Sequence, residues 1–343
     1  MILLPFFYGE KILIKSTLIT IPIVAMTPFI LLIFFSKRVS DIEFNRRFEK
    51  KLIPDFVKKL EFSPSKIKYL NSGIYAYNFE GGQILKLDEK GNVTIVFGEL
   101  GENPGQFQVV ADYYTDNEKL YAIDLRNKSI SIFNLQSSEL VDFFKINKNF
   151  NNASLLSIFS YVISSFDSLN SNPKFEIYNF SGELVKVNFP YGTSQDGSFT
   201  TDGIFVNNGK VNLHFCYHIS DFHAFDSYGK LLYRSKTIEN YFEQPLVITE
   251  GRGKYISPVT KTITIGASAD EKFIYVLSLE IAVNEKKEDF QNNSPLDIYA
   301  LSSGEYIKSV YIPNYEGKKV RSISCAENGF YAIQGNNLIH YEP

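Results

Sequence analysis

The sequence predicts an all-β fold, a six-bladed β-propeller preceded by an N-terminal transmembrane helix. Two observations support this: a strand-and-turn unit recurs at a pitch in the forties, and one stretch near the amino terminus has no charge. Of 343 residues, 44 % are hydrophobic, and 30 Phe and 22 Tyr make the chain rich in aromatics. This composition excludes a wholly disordered chain, and a single long apolar stretch excludes a polytopic membrane protein.

Residues 1–38 form an N-terminal segment whose apolar part is 16–35. These 20 residues carry no charge and would cross about 30 Å of hydrocarbon as a helix. Basic residues bound both ends, and no small-residue cleavage site follows, so we expect an uncleaved anchor rather than a removable signal peptide. A buried core helix is the other interpretation.

Two arguments predict opposite orientations for this anchor. More Lys and Arg residues follow the span than precede it, which by the positive-inside rule alone would hold the bulk of the chain in the cytoplasm. Against that, short N-terminal anchors before a large β-domain commonly deliver the domain to the outer side. We expect an extracytoplasmic propeller, either periplasmic or on the outer side of the inner membrane.

Residues 39–55 are predicted to form a polar stalk. Their apolar residues are spaced loosely enough for a short helix, which Pro54 would end.

From residue 56 onward, short runs rich in Ile, Val, Tyr and Phe alternate with clusters of Gly, Asn, Asp and Ser, the signature of strands and turns. The third strand of the unit and its turn recur six times, and four of the five spacings between successive starts are 41 to 47 residues. The starts are Gln83, Ser129, Lys174, Asp221, Leu296 and Asn337. Such a pitch, with several strands per unit, indicates propeller blades. The one long gap places about thirty extra residues in 238–262 and Asn284–Asn293, judged against the usual blade length.

The sixth unit stops after its third strand, at Asn337–Tyr341. A candidate for the missing outer strand is 56–62, which would close the ring and hide two exposed strand edges. The propeller is therefore expected to span 56–343. The alternative is a β-sandwich with accidental periodicity.

One connector carries a specific signal. Phe97–Phe107 resembles the inter-blade connector of NHL-type propellers, where Phe-Gly, a further Gly and Gly-Gln-Phe recur. The following run resembles the body of the same repeat, with Asp124, Asn127 and Ile130–Phe133 at its typical positions. The resemblance implies a platform that binds protein, peptide or nucleic acid on one face, and some such rings are metal-dependent enzymes.

The connector glycines have a physical role in this interpretation. We expect Gly98, Gly101 and Gly105 to permit positive φ where the chain crosses to the next blade, and Phe97 and Phe107 to fill the space between blades.

A second pattern, His214-Phe-Cys-Tyr-His218, is the one metal-like cluster in the sequence. On a strand, His214, Cys216 and His218 would point to one face and could start a zinc or copper site. A fourth ligand, His223 or Asp221, would have to come from beyond the turn. The alternative is ordinary packing between blades, with a free buried Cys and hydrogen-bonded His.

The sequence has no pattern typical of nucleic-acid binding, of a disulfide scaffold or of a serine nucleophile. The net charge of −3 and the scattered Lys and Arg argue against nucleic acid, and two Cys do not make a disulfide scaffold. A Gly-x-Ser-x-Gly nucleophile motif is missing.

The sequence therefore predicts a membrane-anchored, non-catalytic binding or scaffolding module for a protein or peptide partner, without a cofactor. Loop-borne Tyr, Asn and Asp would bind the partner on a propeller face or at the mouth of the central channel. The alternative is a metal-dependent propeller enzyme of the lyase or lactonase type, with a divalent metal in the channel.

Overall fold

A computed structural model describes residues 43–157, 160–166, 173–188, 201–250 and 253–342. The predicted span 16–35 lies outside these residues. Within the described ranges, no helix is both long and apolar enough to cross a membrane.

The described strands form seven sheets, and six of them are the blades of a propeller, in which consecutive blade strands pair antiparallel. Two short strands precede them, β1 (Phe48–Lys51) and β2 (Pro54–Lys59). Blade 1 comprises β3 (Pro64–Leu70), β4 (Gly73–Asn78), β5 (Gln83–Leu87) and β6 (Val93–Phe97). Blade 2 comprises β7 (Val110–Thr115), β8 (Lys119–Asp124), β9 (Ser129–Asn134) and β10 (Leu140–Lys145). Blade 3 comprises β11 (Asn152–Ser157), β12 (Ser160–Phe166), β13 (Pro173–Asn179) and β14 (Leu184–Asn188).

The second half of the ring repeats this order. Blade 4 comprises β15 (Gly203–Asn207), β16 (Asn212–Cys216), β17 (Asp221–Phe225) and β18 (Leu231–Lys236). Blade 5 comprises β21 (Thr264–Ala269), β22 (Phe273–Ser278), β23 (Asn293–Ala300) and β24 (Tyr306–Pro313). Blade 6 comprises β25 (Ser322–Ala326), β26 (Gly329–Gln334) and β27 (Asn337–Tyr341). The predicted six-bladed all-β fold is thus confirmed.

The two predicted insertions both lie around blade 5. The hairpin of β19 (Val247–Glu250) and β20 (Gly253–Ile256) interrupts the connection from blade 4. A loop containing the short helix α1 (Lys287–Asn292) joins the second and third strands of blade 5. Because strands alternate in direction within a blade, both insertions lie at the end of the ring where the inter-blade connectors run.

Apolar side chains fill each of the six seams between neighbouring blades. The described chain has six buried hydrophobic clusters, one per seam, and each contains residues from both adjoining blades. The fully buried rings include Tyr113, Phe215, Phe222, Tyr299 and Tyr341. Aromatic rings bury a large area each, which explains how a chain without Trp fills six flat interfaces.

The fourth strand of blade 6 comes from the opposite end of the chain. β2 pairs antiparallel with β27, with Val57 opposite Ile339. The ring-closing strand expected at 56–62 therefore corresponds to Pro54–Lys59, two residues earlier. Pro54 begins this edge strand, a position where its missing N–H costs no ladder hydrogen bond.

The helical stalk predicted over 39–55 is wrong for the described residues of that range. β1 pairs in parallel with β24 as a fifth strand of blade 5, and the stacked rings of Phe48 and Tyr311 lie 3.9 Å apart. Phe44 and Leu52 are buried. This segment is therefore part of the propeller.

A buried arginine holds this segment in place. The Arg46 guanidinium pairs with Asp297 at 2.8 Å, Glu285 at 2.9 Å and Glu239 at 3.5 Å, and all four side chains are almost completely inaccessible to solvent. Burial and the nearby Asp297 carboxylate raise the pKa of Glu239. The raised pKa favours the neutral acid, which reduces the negative charge that one guanidinium must balance.

The connector that resembles NHL repeats is pinned by polar side chains. The Asp124 carboxylate accepts backbone hydrogen bonds from Gln108, Val109 and Asn127, at 2.6 to 3.0 Å. The Asn127 amide donates to the carbonyl oxygen of Gly101. The two motif residues therefore hold the connector against the turn of blade 2.

Two of the three connector glycines have the predicted backbone. Gly98 and Gly105 adopt φ of +71° and +81°, and a Cβ on Gly98 would meet the Phe107 ring at 2.4 Å. Gly101 does not adopt positive φ, which corrects the expectation for that residue. A Cβ there would instead meet the Gln106 side chain.

Truncation of Arg46 tests the buried ion cluster. We expect Arg46→Ala to lower the free energy of unfolding by about 3–5 kcal/mol, because it leaves buried carboxylates without their cation. Arg47→Ala is the matched control, since Arg47 is exposed and its contacts are worth about 1 kcal/mol or less. Denaturant unfolding of the two variants measures both effects, and equal losses would contradict the role given to Arg46.

Candidate functional site

The centre of the ring is an open channel of about 1000 Å³. The first strands of all six blades line it, namely β3, β7, β11, β15, β21 and β25. Successive residues of a strand point to opposite faces of its sheet, so each first strand directs its side chains alternately toward the two neighbouring blades.

The seam between blades 1 and 2 carries the channel's densest charge. Lys68 Nζ lies 2.5 Å from Asp112 Oδ1, and Lys66 donates to the carbonyl oxygen of Ala111. The Ser154 hydroxyl of blade 3 donates to the other Asp112 oxygen at 2.5 Å. Asp112 therefore joins three blades.

Burial and neighbouring charges have opposite effects on the pKa values of Lys66 and Asp112. Burial lowers the pKa of Lys66 to about 8, although the Asp112 charge opposes this. Burial alone would raise the pKa of Asp112, but the charges of Lys68 and Lys66 outweigh it and hold that pKa below its usual value. Asp112 is therefore ionised at neutral pH, and Lys66 loses its proton at a lower pH than an ordinary lysine.

The other seams are joined in the same manner. In the four seams from blade 3 round to blade 1, a polar side chain near the channel bonds to the backbone of the neighbouring blade. These contacts join Asn152 to Gly203, Asn207 to Leu155 and Leu156, Asn208 to Asp270, Ser268 to Cys325, Ser322 to Ile67, and Ser324 to Tyr69. Many polar groups of the channel thus hold the ring together.

The two mouths of the channel differ in their side chains. At the end where first and second strands meet, Asp270 caps its turn by accepting from the backbone N–H of Lys272 and Phe273, both at 2.7 Å. At the connector end, Asp202 and Tyr217 line the mouth. Burial raises the pKa of Asp202, so this carboxyl holds its proton more tightly than an exposed one.

The lining combines aromatic faces, amides and a few charges already paired within the protein. Such a concave surface suits recognition of a polar chain by shape and hydrogen bonds. The half-buried Cys325 is a poor nucleophile, because burial raises the pKa of its thiol to about 12.

The proposed metal ligands are not brought together. β16 ends at Cys216, so His218 lies in the following turn, where its Nδ1 is 2.8 Å from the Lys261 carbonyl oxygen. His214 lies opposite His223, with its ring 4.6 Å from that of Phe205. In the part of the chain that the structure describes, no three His, Cys, Asp or Glu side chains are grouped as metal ligands.

Burial keeps His214 in its neutral form. It lowers the pKa of His214 well below its usual value, and the adjacent His223 lowers it further. A neutral imidazole between aromatic rings agrees with the packing interpretation of this cluster.

Sequence reasoning named no channel residue. The usable signal is a charge on alternate positions of an otherwise apolar strand, as in Lys66 and Lys68 on β3 or Asp112 on β7. Only the ring reveals that these two strands meet.

The lowered pKa of Lys66 gives a pH dependence that can be measured. We expect reductive methylation of Lys66 to rise with pH through about 8, as the neutral amine forms. Asp112→Asn removes a charge that raises this pKa, so the midpoint should move to lower pH. Peptide mass spectrometry of the methylated protein reports both midpoints, and a wild-type midpoint near that of an ordinary lysine would contradict the burial of the amine.

Comparisons with known proteins agree with the fold. No protein-family model and no curated protein sequence matches the chain. A solved structure of a Bacteroides fragilis protein predicted to be exported is similar, with a TM-score of 0.51, 10 % identity, and 85 % of this chain and 84 % of that chain covered. U3-55K matches with a TM-score of 0.49 and 9 % identity, over 85 % of this chain and all of that one. The β-propeller domain of Myceliophteria thermophila Cps50 matches with a TM-score of 0.48 and 10 % identity, over 84 % of this chain and all of that one. At such identities the similarity shows the propeller fold alone, and the NHL resemblance stays a feature of residues 97–133.

Proposed function

We propose that this protein is a membrane-anchored binding module that holds a segment of a protein or peptide partner at the mouth of the propeller channel. The observation that supports this most is the channel of about 1000 Å³, lined by all six blades. Its depth and its aromatic and amide lining suit an inserted loop or chain end.

The bonding of the channel's charges favours a binding role over a catalytic one. Lys68 and Asp112 are paired, and the Asp112 carboxylate also accepts from Ser154. Groups committed in this way position blades, and they leave recognition to the shape of the mouth and to the exposed turn residues around it. The alternative of a metal-dependent enzyme gains no support from the described His and Cys residues.

The anchor and its orientation belong to the proposal. The 20 uncharged residues 16–35 have the length of a membrane span, and the propeller begins only eight residues later, at Glu43. We propose that the propeller stands on the extracytoplasmic side, tethered to the bilayer.

A photo-crosslinking amino acid at Lys272 tests partner binding. Lys272 lines the channel mouth, and we expect it to give an adduct of defined mass in native membranes. Lys90 is the matched control, because it is also exposed and also follows a turn-capping aspartate by two residues, but it does not line the channel.

Obstruction of the mouth completes this test. Ala326→Trp places a large ring among the lining residues and should lower the Lys272 adduct several-fold, with the melting temperature as a check on folding. Equal adducts from Lys272 and Lys90 would argue against the channel mouth as the binding site.

Protease added to intact spheroplasts tests the orientation. We expect the propeller to be degraded, with cleavage in exposed turns, while a cytoplasmic marker protein survives. Full protection of the propeller, together with degradation after lysis, would place it on the cytoplasmic side.

A further inference from the structure

Exposed apolar side chains gather on the two insertions around blade 5. We define the apolar end patch as five of them: Leu246, Val259, Leu279, Ile281 and Val283. They are 56 %, 74 %, 37 %, 38 % and 64 % exposed. Single exposed apolar residues are common on proteins, but several on adjoining loops make a candidate interaction surface.

The two insertions form one surface. Lys261 Nζ lies 3.8 Å from Glu280 Oε2, and the backbone N–H of Leu279 donates to the carbonyl oxygen of Ile263 at 3.3 Å. Leu246 N–H donates to the Thr260 hydroxyl at 3.2 Å, which binds the base of the hairpin to the same region. Both insertions therefore present their apolar side chains at the connector end of the ring.

The amino-terminal chain enters the propeller at this patch. The Val283 N–H donates to the Phe44 carbonyl oxygen at 2.9 Å, and the Asn284 side chain accepts from and donates to the Arg46 backbone at 3.0 and 2.8 Å. Phe35, the last residue of the predicted span, is eight residues before Glu43. Eight residues cover at most about 28 Å even when fully extended, so an anchor at 16–35 would hold the patch within that distance of the bilayer surface.

We propose that the apolar end patch docks on the lipid surface of the membrane that holds the anchor, an inference that rests on the anchor proposed above. Its aliphatic side chains would enter the boundary between headgroups and acyl chains. The aromatic rings of Tyr255 and Phe242, which are partly exposed on the same insertion, suit the interface beside them.

The charges beside the patch nearly cancel, which favours lipid contact through apolar burial. Lys261 pairs with Glu280, and the exposed residues 286–289 are two Lys, one Glu and one Asp. Docking should therefore not require anionic lipid. Because the patch is at the connector end, docking would turn that mouth of the channel toward the membrane and leave the Lys272 mouth open to a partner.

Depth-dependent fluorescence quenching tests the docking. The full chain carrying Val283→Cys or Val259→Cys is labelled with an environment-sensitive fluorophore and reconstituted in phosphatidylcholine vesicles containing nitroxide-labelled lipid. Val185→Cys is the matched control, because Val185 is a valine of similar exposure, 59 %, on the outer strand of blade 3. Cys216 is buried and the Cys325 pKa is near 12, so labelling at neutral pH favours the introduced thiol.

We expect quenching at positions 283 and 259 to exceed that at 185 several-fold, and Leu246→Glu in the same chain to reduce it. Vesicle flotation of the unlabelled protein reports the anchor separately. Flotation with equal quenching at all three positions overturns the docking and leaves the anchor standing. A failure to float overturns the anchor, and with it the reach argument on which the docking rests.

Discussion

Closure of the ring is the constraint on which the rest of this structure depends. Each blade is a sheet with two apolar faces, and a ring covers every face only when the last blade meets the first. The pairing of β2 with β27 completes blade 6 from opposite ends of the chain. It also brings Leu60 into the cluster that joins blades 6 and 1. The channel, its lining and its two mouths all exist because this pairing fixes the number of blades.

A second constraint lies just before the closing strand. Arg46 reaches carboxylates more than 190 positions away in the sequence, and β1 extends blade 5 to five strands. The chain that would leave the membrane anchor is therefore joined to the propeller by a buried ion cluster as well as by backbone hydrogen bonds. An uncompensated buried charge is costly, so this segment is held firmly. In our proposals it sets how the ring stands on the bilayer.

The two ends of the ring have different proposed roles, namely membrane docking at the connector end and partner binding at the other mouth. The connector end carries the insertions, the apolar end patch and the entry of the chain at Phe44. The other end carries tight turns, such as that capped by Asp270, around an open mouth. Between them, Lys66, Lys68 and Asp112 join blades 1 and 2 across their seam. A closed ring that presents one open mouth suits the proposed role of holding a partner.

The sequence by itself determined the blades, their number and the place of the insertions, because strand alternation and turn residues are local signals. It also indicated the closing strand, because the sixth unit is short of an outer strand and 56–62 resembles the others, although the observed strand is Pro54–Lys59. It could not place Arg46, whose partners come from three distant segments. Nor could it decide between a metal cluster and ordinary packing, because where β16 ends and what packs on His214 depend on the neighbouring strands and blade. The channel lining and the apolar end patch were decided by the tertiary structure alone, since both are formed by residues that only a closed ring brings together.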